Sequence, residues 1–271
     1  MQAGKAKRTQ LPGHPKAWLA ISLAWAAGFV DLASWLVLYD VYASHMTGNT
    51  ASFARELVGG KSSDAFHYGW VILPFIGGLL YSATATKAAR RRRFHASFSI
   101  ALVTEIFLLA AFIGLGSRYV DEVQPKAPAG AMEILLLSLP AAAMGVQTVT
   151  VTNINGLRVY TTYLTGSLSK FAEAAVDHFF WLYDRTRGRF MSRLGKVLRV
   201  SPRRKPFQHA LLTAGLWAGF FLGACCGALT EPRFKLVSLF APMAVLVAAV
   251  IVDVVRPVAA ADEPDAEHSA H

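Results

Sequence analysis

The stretch HMTGNTASFARELV (45–58) returns in the second half of the chain as YLTGSLSKFAEAAV (163–176). When the two are aligned on Thr-Gly, five of the twelve positions from Thr47 to Val58 are identical. A further match lies upstream at nearly equal spacing, because AGFVD (27–31) and MGVQT (144–148) place a glycine 19 and 20 residues before the threonine. We therefore predict an internal repeat in which each half carries one Thr-Gly segment.

The composition of the chain indicates the environment in which the protein folds. Of the 271 residues, 54% are hydrophobic and 16% charged, the mean hydropathy is +0.38, and the formal charge is +10. Soluble domains average about 45–50% apolar and 25% charged residues, so we exclude a soluble enzyme, a secreted disulfide scaffold and a disordered chain. Six stretches are long and apolar enough to cross a bilayer as helices, at about 17–39, 66–86, 96–116, 132–152, 207–230 and 236–255.

Basic residues predict the orientation of these spans, because cytoplasmic loops carry an excess of Lys and Arg. With the N-terminus inside, 21 of the 27 basic residues lie on the cytoplasmic side. We expect an all-α, multi-pass protein of the bacterial inner membrane with both termini cytoplasmic. Three spans per half is an odd number, so the halves are predicted to be inverted repeats. The predicted parts are a basic N-terminus (1–16), a membrane domain (17–255) with repeats at 17–116 and 132–255, and a disordered tail (256–271).

The Thr-Gly segments point to a candidate binding site. Their Thr, Asn and Ser residues are types that cap helix N-termini, and the helical stretch after each is only about three turns long. Such a segment is either a half-helix that enters the membrane or a surface helix. Exposed N–H groups at a helix start favour an anion or a carbonyl oxygen. We predict a substrate site near the midplane formed by Thr47, Gly48, Asn49, Gln147, Thr165, Gly166 and Ser167.

Ionisable groups inside a span cost about 2.5–3.5 kcal/mol at its centre, so they usually face the protein interior and mark functional sites. Asp31 lies well within the first span, shortly before the Thr-Gly segment, and its repeat counterpart is Thr148. We predict that Asp31 takes part in proton or ion coupling, with Glu105 as the second candidate and His45 as a relay. The alternative is that these groups, and Gln147 with them, only hydrogen-bond neighbouring helices.

The motifs also carry a family resemblance. GFVD (28–31) followed by HMTGNT (45–50), then MGVQ (144–147) and the second Thr-Gly, resembles the YoaK family of bacterial integral membrane proteins. That family is a domain of unknown function with about six spans. The resemblance covers residues 17–255 and implies an inner-membrane location and a single-domain body, but no substrate or mechanism. One departure is the long, basic connection between the fourth and fifth spans.

Partners follow from the same pattern. We expect contact with the lipid bilayer and no nucleic acid, because orientation already explains the basic clusters. The insertion 178–206 mixes aromatic and basic residues, so 179–205 forms either an amphipathic helix that contacts anionic lipid or a plain solvated loop. The sequence has no metal-ligand spacing, nucleotide-binding loop or hydrolase motif, so we expect no metal, no cofactor and no enzymatic activity. The oligomeric state stays open, with a homo-oligomer among the alternatives.

Together these features favour a transporter or channel for a small polar or anionic solute. The first alternative is a membrane scaffold or accessory subunit whose polar groups only pack helices. A weaker alternative is an intramembrane enzyme that acts on a lipid-soluble substrate. No recognisable motif encodes the solute, the direction of movement or the coupling ion.

Overall fold

The computed structural model describes residues 13–38, 40–92, 97–119, 130–149, 153–154, 157–158, 160–186 and 200–255. These residues form nine α-helices and one short antiparallel strand pair. The elements are α1 (Gly13–Val37), α2 (Met46–Val58), α3 (Ser62–Trp70), α4 (Ile72–Arg91), α5 (Ser97–Tyr119), α6 (Ala131–Thr148), β1 (Asn153–Ile154), β2 (Leu157–Arg158), α7 (Leu164–Thr186), α8 (Lys205–Phe234) and α9 (Phe240–Val255). Two 3₁₀ turns, Ser201–Arg203 and Lys235–Leu239, precede α8 and α9.

Helices α1 and α8 pack against each other backbone to backbone. Every fourth residue of α8 from Gly215 to Gly227 is glycine. A Cβ on the last three of these would meet the backbone of α1: Gly219 meets Ile21, Gly223 meets Trp25, and Gly227 meets Phe29. The paired residue numbers rise together, so the two helices are parallel. Small residues permit this close approach of membrane helices, and a larger side chain would force the backbones apart.

Helices α4 and α6 form a second parallel pair, because His67 and Trp70 of α3 and then Gly78 of α4 contact Glu133, Ser138 and Val146 of α6 in that order. A Cβ on Gly78 of α4 would collide with the backbone of Ala142, and a Cβ on Gly145 of α6 would collide with the backbone of Phe75. Glycine again allows two backbones to touch, once from each helix. The bundle therefore contains two tight helix pairs, α1 with α8 and α4 with α6.

Helices α5 and α9 complete the bundle. The carboxylate of Asp253, near the end of α9, accepts hydrogen bonds from the backbone N–H and the hydroxyl of Ser99, both at 2.9 Å. The end of α9 therefore lies at the start of α5. Helix α5 also packs on α6 and α4, and α9 packs on α1. The core between these helices includes the fully buried side chains of Phe29, Phe112 and Met144.

The described residues contain five stretches that are long and apolar enough to cross a membrane. Four of them correspond to α1, α3 with α4, α5, and α6. The fifth, Lys205–Val255, contains both α8 and α9 and is interrupted by the turn at Lys235, whose φ is 47°. The chain is therefore a helical protein with several helices capable of spanning a membrane.

Two sequence predictions need correction. The fourth predicted span (132–152) ends as a helix at Thr148, and the chain continues into β1 and β2. The second Thr-Gly helix is predicted to have about three turns, but α7 has 23 residues, because no Gly or Pro interrupts 167–186 and the helix packs on α8. Residues 178–186 of the predicted insertion thus belong to α7. Residues 187–199 of that insertion, the N-terminus 1–12 and the tail 256–271 lie outside the described residues.

Candidate functional site

Asp31 fixes the start of α2 beside α1. Its Oδ1 accepts a hydrogen bond from the backbone N–H of Ser44 at 2.6 Å, and Ser44 lies two residues before α2 begins. Asp31 is six residues before the end of α1 at Val37, which is about 9 Å along the helix axis. The connecting loop therefore folds back along α1, and α2 begins near the depth of Asp31.

The second Thr-Gly helix is held in the same way. Thr148 Oγ1 lies 2.7 Å from Thr162 Oγ1, and Thr162 is two residues before α7 begins at Leu164. The alignment of the two halves pairs Asp31 with Thr148 and Ser44 with Thr162. Each half thus hydrogen-bonds its first helix to the loop before its Thr-Gly segment, at equivalent positions.

Gln147 gives the relative depth of the two helix starts. Its Nε2 donates to the backbone carbonyl of Leu23 in α1 at 2.6 Å, so the end of α6 and the start of α7 lie near the level of Leu23. Leu23 is seven residues, about 10 Å, from Lys16 at one end of the apolar stretch of α1. Asp31 lies eight residues, about 12 Å, further along. The starts of α7 and α2 are therefore each about 10 Å inside the bundle, counted from opposite ends of α1.

The structure corrects the predicted caps of both helices. Helix α2 begins at Met46 and α7 at Leu164, one residue before the threonine of each segment. The residues predicted as caps, Thr47 or Asn49 and Thr165 or Ser167, therefore lie inside the first turn. His45, in the cap position of α2, makes no side-chain capping hydrogen bond.

An aromatic ring covers the glycine of each segment. A Cβ on Gly48 would lie 2.7 Å from Cδ2 of His45, and a Cβ on Gly166 would collide with the ring of Tyr163. Each ring belongs to the residue three positions before the glycine. Glycine is therefore needed in both segments to let this ring lie over the start of the helix.

The first turns divide their polar side chains into a buried and an exposed set. Asn49 is fully buried, with its Oδ1 accepting from the N–H of Tyr42 at 3.1 Å and its Nδ2 donating to the carbonyl of Tyr42 at 2.7 Å. Ser167, at the equivalent position, is buried and donates to a backbone carbonyl one turn earlier at 3.1 Å. Thr47 and Thr165 are both exposed. Asn49 therefore holds the loop before α2, Ser167 bonds only the start of its own helix, and the threonines are the side chains accessible to a ligand.

Glu105 has a different environment from Asp31. It is completely buried in α5, and neither carboxylate oxygen has a hydrogen-bond partner among the described residues. It lies eight residues, about 12 Å, from the start of α5 at Ser97, well inside an apolar stretch. Buried polar groups are normally hydrogen-bonded, and exceptions call for an explanation. Among the described residues, Glu105 is therefore a completely buried carboxylate whose oxygens both lack a hydrogen-bond partner.

The sequence did not predict two side-chain contacts between α3 and α6, one buried and one partly buried. His67 Nε2 lies 3.0 Å from Glu133 Oε1, with both side chains more than nine-tenths buried. One turn further, Trp70 Nε1 donates to Ser138 Oγ at 2.9 Å. The sequence shows an ionisable residue near the start of each span, but pairing these residues requires knowing that the two spans are parallel neighbours.

A group of charges outside the spans lies at the end of α2. Glu56 Oε1 lies 2.7 Å from Arg55 Nη2, and Glu56 Oε2 lies 3.5 Å from Lys61 Nζ. The hydrogen bond from Arg55, helped by the charges of Arg55 and Lys61, holds the pKa of Glu56 below its ordinary value. Within the described ranges, no group of three or more His, Cys, Asp or Glu side chains is arranged to hold a metal ion.

Comparison with known proteins gives two matches. The family described as "Protein of unknown function (DUF1275)" matches residues 19–252. The UPF0700 transmembrane protein YoaK of Bacillus subtilis (strain 168) is 26% identical over 151 residues, which cover 56% of this chain and 63% of that protein. The match thus spans less than two thirds of the relative's length. No solved structure matches this chain.

Proposed function

We propose that this chain, which belongs to the DUF1275 family of proteins of unknown function, moves a small polar or anionic solute across the membrane as a transporter or channel. The predicted resemblance to the YoaK family is confirmed, but it carries no activity. The proposal is carried by one observation. Equivalent hydrogen bonds, from Ser44 to Asp31 and between Thr148 and Thr162, hold two helix starts about 10 Å inside the bundle from opposite ends.

The architecture we propose is two interlocked, inverted repeats of three spans. Gly28 of α1 lies against the backbone of Phe220 in α8, and Gly145 of α6 lies against the backbone of Phe75 in α4. Each phenylalanine is followed three residues later by a glycine that packs on the same partner helix. The first span of each half thus pairs with the second span of the other half through matching contacts, which supports the repeat.

Six alternating spans account for the directions of the helices. In that arrangement α1 and α8 are the first and fifth spans, and α4 and α6 are the second and fourth, so each pair is parallel. The contact of Asp253 with Ser99 brings the end of the sixth span to the start of the third. All three relations favour both termini on one side, and the excess of basic residues favours the cytoplasmic side.

The chemistry we propose begins at the two helix starts. The N–H groups in the first turn of a helix carry partial positive charge and bind anions or carbonyl oxygens. The exposed hydroxyls of Thr47 and Thr165 lie in these first turns. Each can donate to the solute oxygen that the N–H groups of its own helix bind. The carboxylate of Asp31 lies near α2, whereas the neutral Thr148 lies near α7. This difference favours an anionic group at the start of α7 and a neutral polar group at the start of α2.

Glu105 is the residue we propose for proton or ion coupling, ahead of Asp31. The carboxylate of Asp31 is engaged by the backbone before α2, so Asp31 is better suited to position that helix. Glu105 has no hydrogen-bond partner among the described residues and is therefore free of such an anchoring duty. His45 is exposed and covers Gly48, which suits a residue at the entrance of the path.

A membrane scaffold or accessory subunit is the second candidate. Asp31, Asn49 and Gln147 all hydrogen-bond the backbone of their own chain, as polar groups with a purely structural role do. On this alternative the two helix starts would only complete the packing of the bundle, and no solute would pass between them.

Solute entry into liposomes that contain the full chain tests the proposal. Stopped-flow measurements with urea, glycerol, acetate, chloride and phosphate as probes should show at least one probe entering faster than into empty liposomes. Thr47→Leu and Thr165→Leu should slow that entry at least tenfold. Thr50→Leu is the matched control, because Thr50 is exposed one turn further along α2 and its hydroxyl bonds its own helix.

The same assay separates the alternatives. The site is wrong if both threonine variants behave like Thr50→Leu, and the scaffold gains if none of these probes enters faster than into empty liposomes. Glu105→Gln should abolish the pH dependence of entry, whereas Asp31→Asn should retain it. A pH dependence that persists in Glu105→Gln and disappears in Asp31→Asn would return the coupling role to Asp31.

A further inference from the structure

A groove opens between the first halves of α1 and α8. Its volume is 590 Å³, and it is lined mainly by apolar side chains and glycine, among them Trp18 and Ile21 of α1 and Leu211, Gly215 and Leu222 of α8. Trp18 is 69% exposed and Leu211 64% exposed. The groove therefore faces the surroundings of the bundle, which for these apolar helices is lipid.

Gly215 and Ile21 meet at the floor of this groove, because a Cβ on Gly215 would lie 2.7 Å from Cδ1 of Ile21. Gly215 stands five residues before Phe220, as Trp70 stands five residues before Phe75 in the other tight helix pair. There the indole of Trp70 lies against α6 and donates to Ser138 at 2.9 Å. With glycine in place of this indole, the corresponding space between α1 and α8 is filled in part by the side chain of Ile21 and in part stays open as the groove.

The mouth of the groove, at Gln208, lies about one turn of α8 from the basic residues Arg204 and Lys205. The segment VSPRRKPFQH (200–209), which leads into the groove, contains three basic residues and no acidic one. Arg204 and Lys205 are both exposed, and the guanidinium of Arg204 lies 4.7 Å from the ring centre of Trp181, which holds it in place. Gln208 adds a polar amide to the lining of the groove. Charge and polarity are thus concentrated at one end of an otherwise apolar groove.

We propose that this groove binds one acyl chain of an anionic phospholipid, with the lipid phosphate against Arg204 and Lys205. An acyl chain matches the apolar lining, which runs along two parallel spans and hence along the chains of bilayer lipid. A phosphate matches the positive charge at the mouth. The groove and its charge are independent of the proposed transport. Only the comparison of Gly215 with Trp70 rests on the proposed repeat.

Lipid binding to the purified full chain in detergent tests this proposal. Native mass spectrometry would measure the binding of phosphatidylglycerol and phosphatidylcholine. Gly215→Trp places an indole where the other helix pair has one, and it should weaken phosphatidylglycerol binding at least tenfold. Gly69→Trp is the matched control, because a Cβ on Gly69 also lies close to a side chain, 3.1 Å from the ring of Phe53 and away from the groove, and it should bind like the wild-type chain.

Charge variants keep the test independent of any change in packing. Arg204→Gln and Lys205→Gln should each weaken phosphatidylglycerol binding about fivefold and leave phosphatidylcholine binding unchanged. The proposal is overturned if Gly215→Trp binds phosphatidylglycerol like the wild type, or if both charge variants do. It is also overturned if Gly215→Trp dissociates a dimer without changing lipid binding, because the groove would then belong to a second copy. Binding in micelles involves no flux, so its failure leaves the transport proposal standing.

Discussion

Gly77 and Gly78 are neighbours on α4, but they face different surroundings. A Cβ on Gly77 would have no atom within 4 Å, whereas a Cβ on Gly78 would collide with the carbonyl oxygen of Ala142 and lie 2.9 Å from the backbone nitrogen of Val146. The same substitution to alanine at these two positions should therefore have opposite effects on stability. The comparison tests directly whether α4 and α6 touch through their backbones.

The expected magnitudes follow from the two environments. Gly77→Ala gains helix propensity of about 0.8–1 kcal/mol and meets no steric obstacle, so it should stabilise the chain. Gly78→Ala has the same gain but overpacks a tight contact, which costs about 1–3 kcal/mol and more where backbone is the obstacle. At roughly 2–4 °C per kcal/mol, the melting temperature of Gly78→Ala should be several degrees below that of Gly77→Ala.

Fluorescence-detected thermal unfolding of both variants in the same detergent measures this difference. Gly223→Ala in α8 should behave like Gly78→Ala, because a Cβ there would collide with the backbone of Trp25. If Gly78→Ala melts at or above the temperature of Gly77→Ala, the two helices are not in backbone contact, and the packing described for α4 and α6 is refuted.

Three further predictions concern α2 and the topology. Asn49→Ala removes both hydrogen bonds to Tyr42 and should destabilise the chain by about 1–3 kcal/mol, measured as a fall in melting temperature. Ser167→Ala should change the melting temperature little. Equal effects of the two substitutions would contradict the different roles of Asn49 and Ser167. Because Arg55 lowers the pKa of Glu56, their interaction is fully present above the ordinary value of 4.5 and is lost as the pH falls through the lower folded-state pKa. Hydrogen exchange should therefore show the Lys61 amide, which bonds the Glu56 carbonyl at 3.0 Å, losing protection only in that acidic range, with no such change in Glu56→Gln. A cysteine in place of Lys61 should be labelled from outside the cell and one in place of Val200 should not; the reverse would overturn the predicted orientation.

The spacing of the repeated motifs in the sequence predicted which residues occupy equivalent positions next to the two Thr-Gly segments. Counting from Gly28 and Gly145 pairs Asp31 with Thr148, and the structure gives both the same kind of contact with the loop before a Thr-Gly segment. The apolar stretches also predicted where helices capable of spanning a membrane lie. The repeat spacing and the apolar stretches are both local patterns of residue type, and such patterns can be read directly from the sequence.

The remaining features depend on which helices are neighbours, and the sequence does not record that. The pairing of His67 with Glu133 requires α3 and α6 to be adjacent and parallel. The hydrogen bond that Asp31 accepts from the N–H of Ser44 depends on the path of the loop that returns to α1, and the sequence does not give that path. The length of α7 was missed for another reason: its packing on α8 extends it beyond the three turns that the repeat suggested.

The proposed position of the two helix starts is inside the membrane, where each opens to water from a different side. Single cysteines in place of Thr47 and Thr165, in a chain with Cys225 and Cys226 replaced by serine, test it with a charged thiol reagent that does not cross the membrane. Position 47 should react only from outside and position 165 only from the cytoplasm, while a cysteine in place of the lipid-exposed Leu73 should not react. Reaction of both from the same side, or of neither while a lipid-soluble maleimide modifies both, would contradict it.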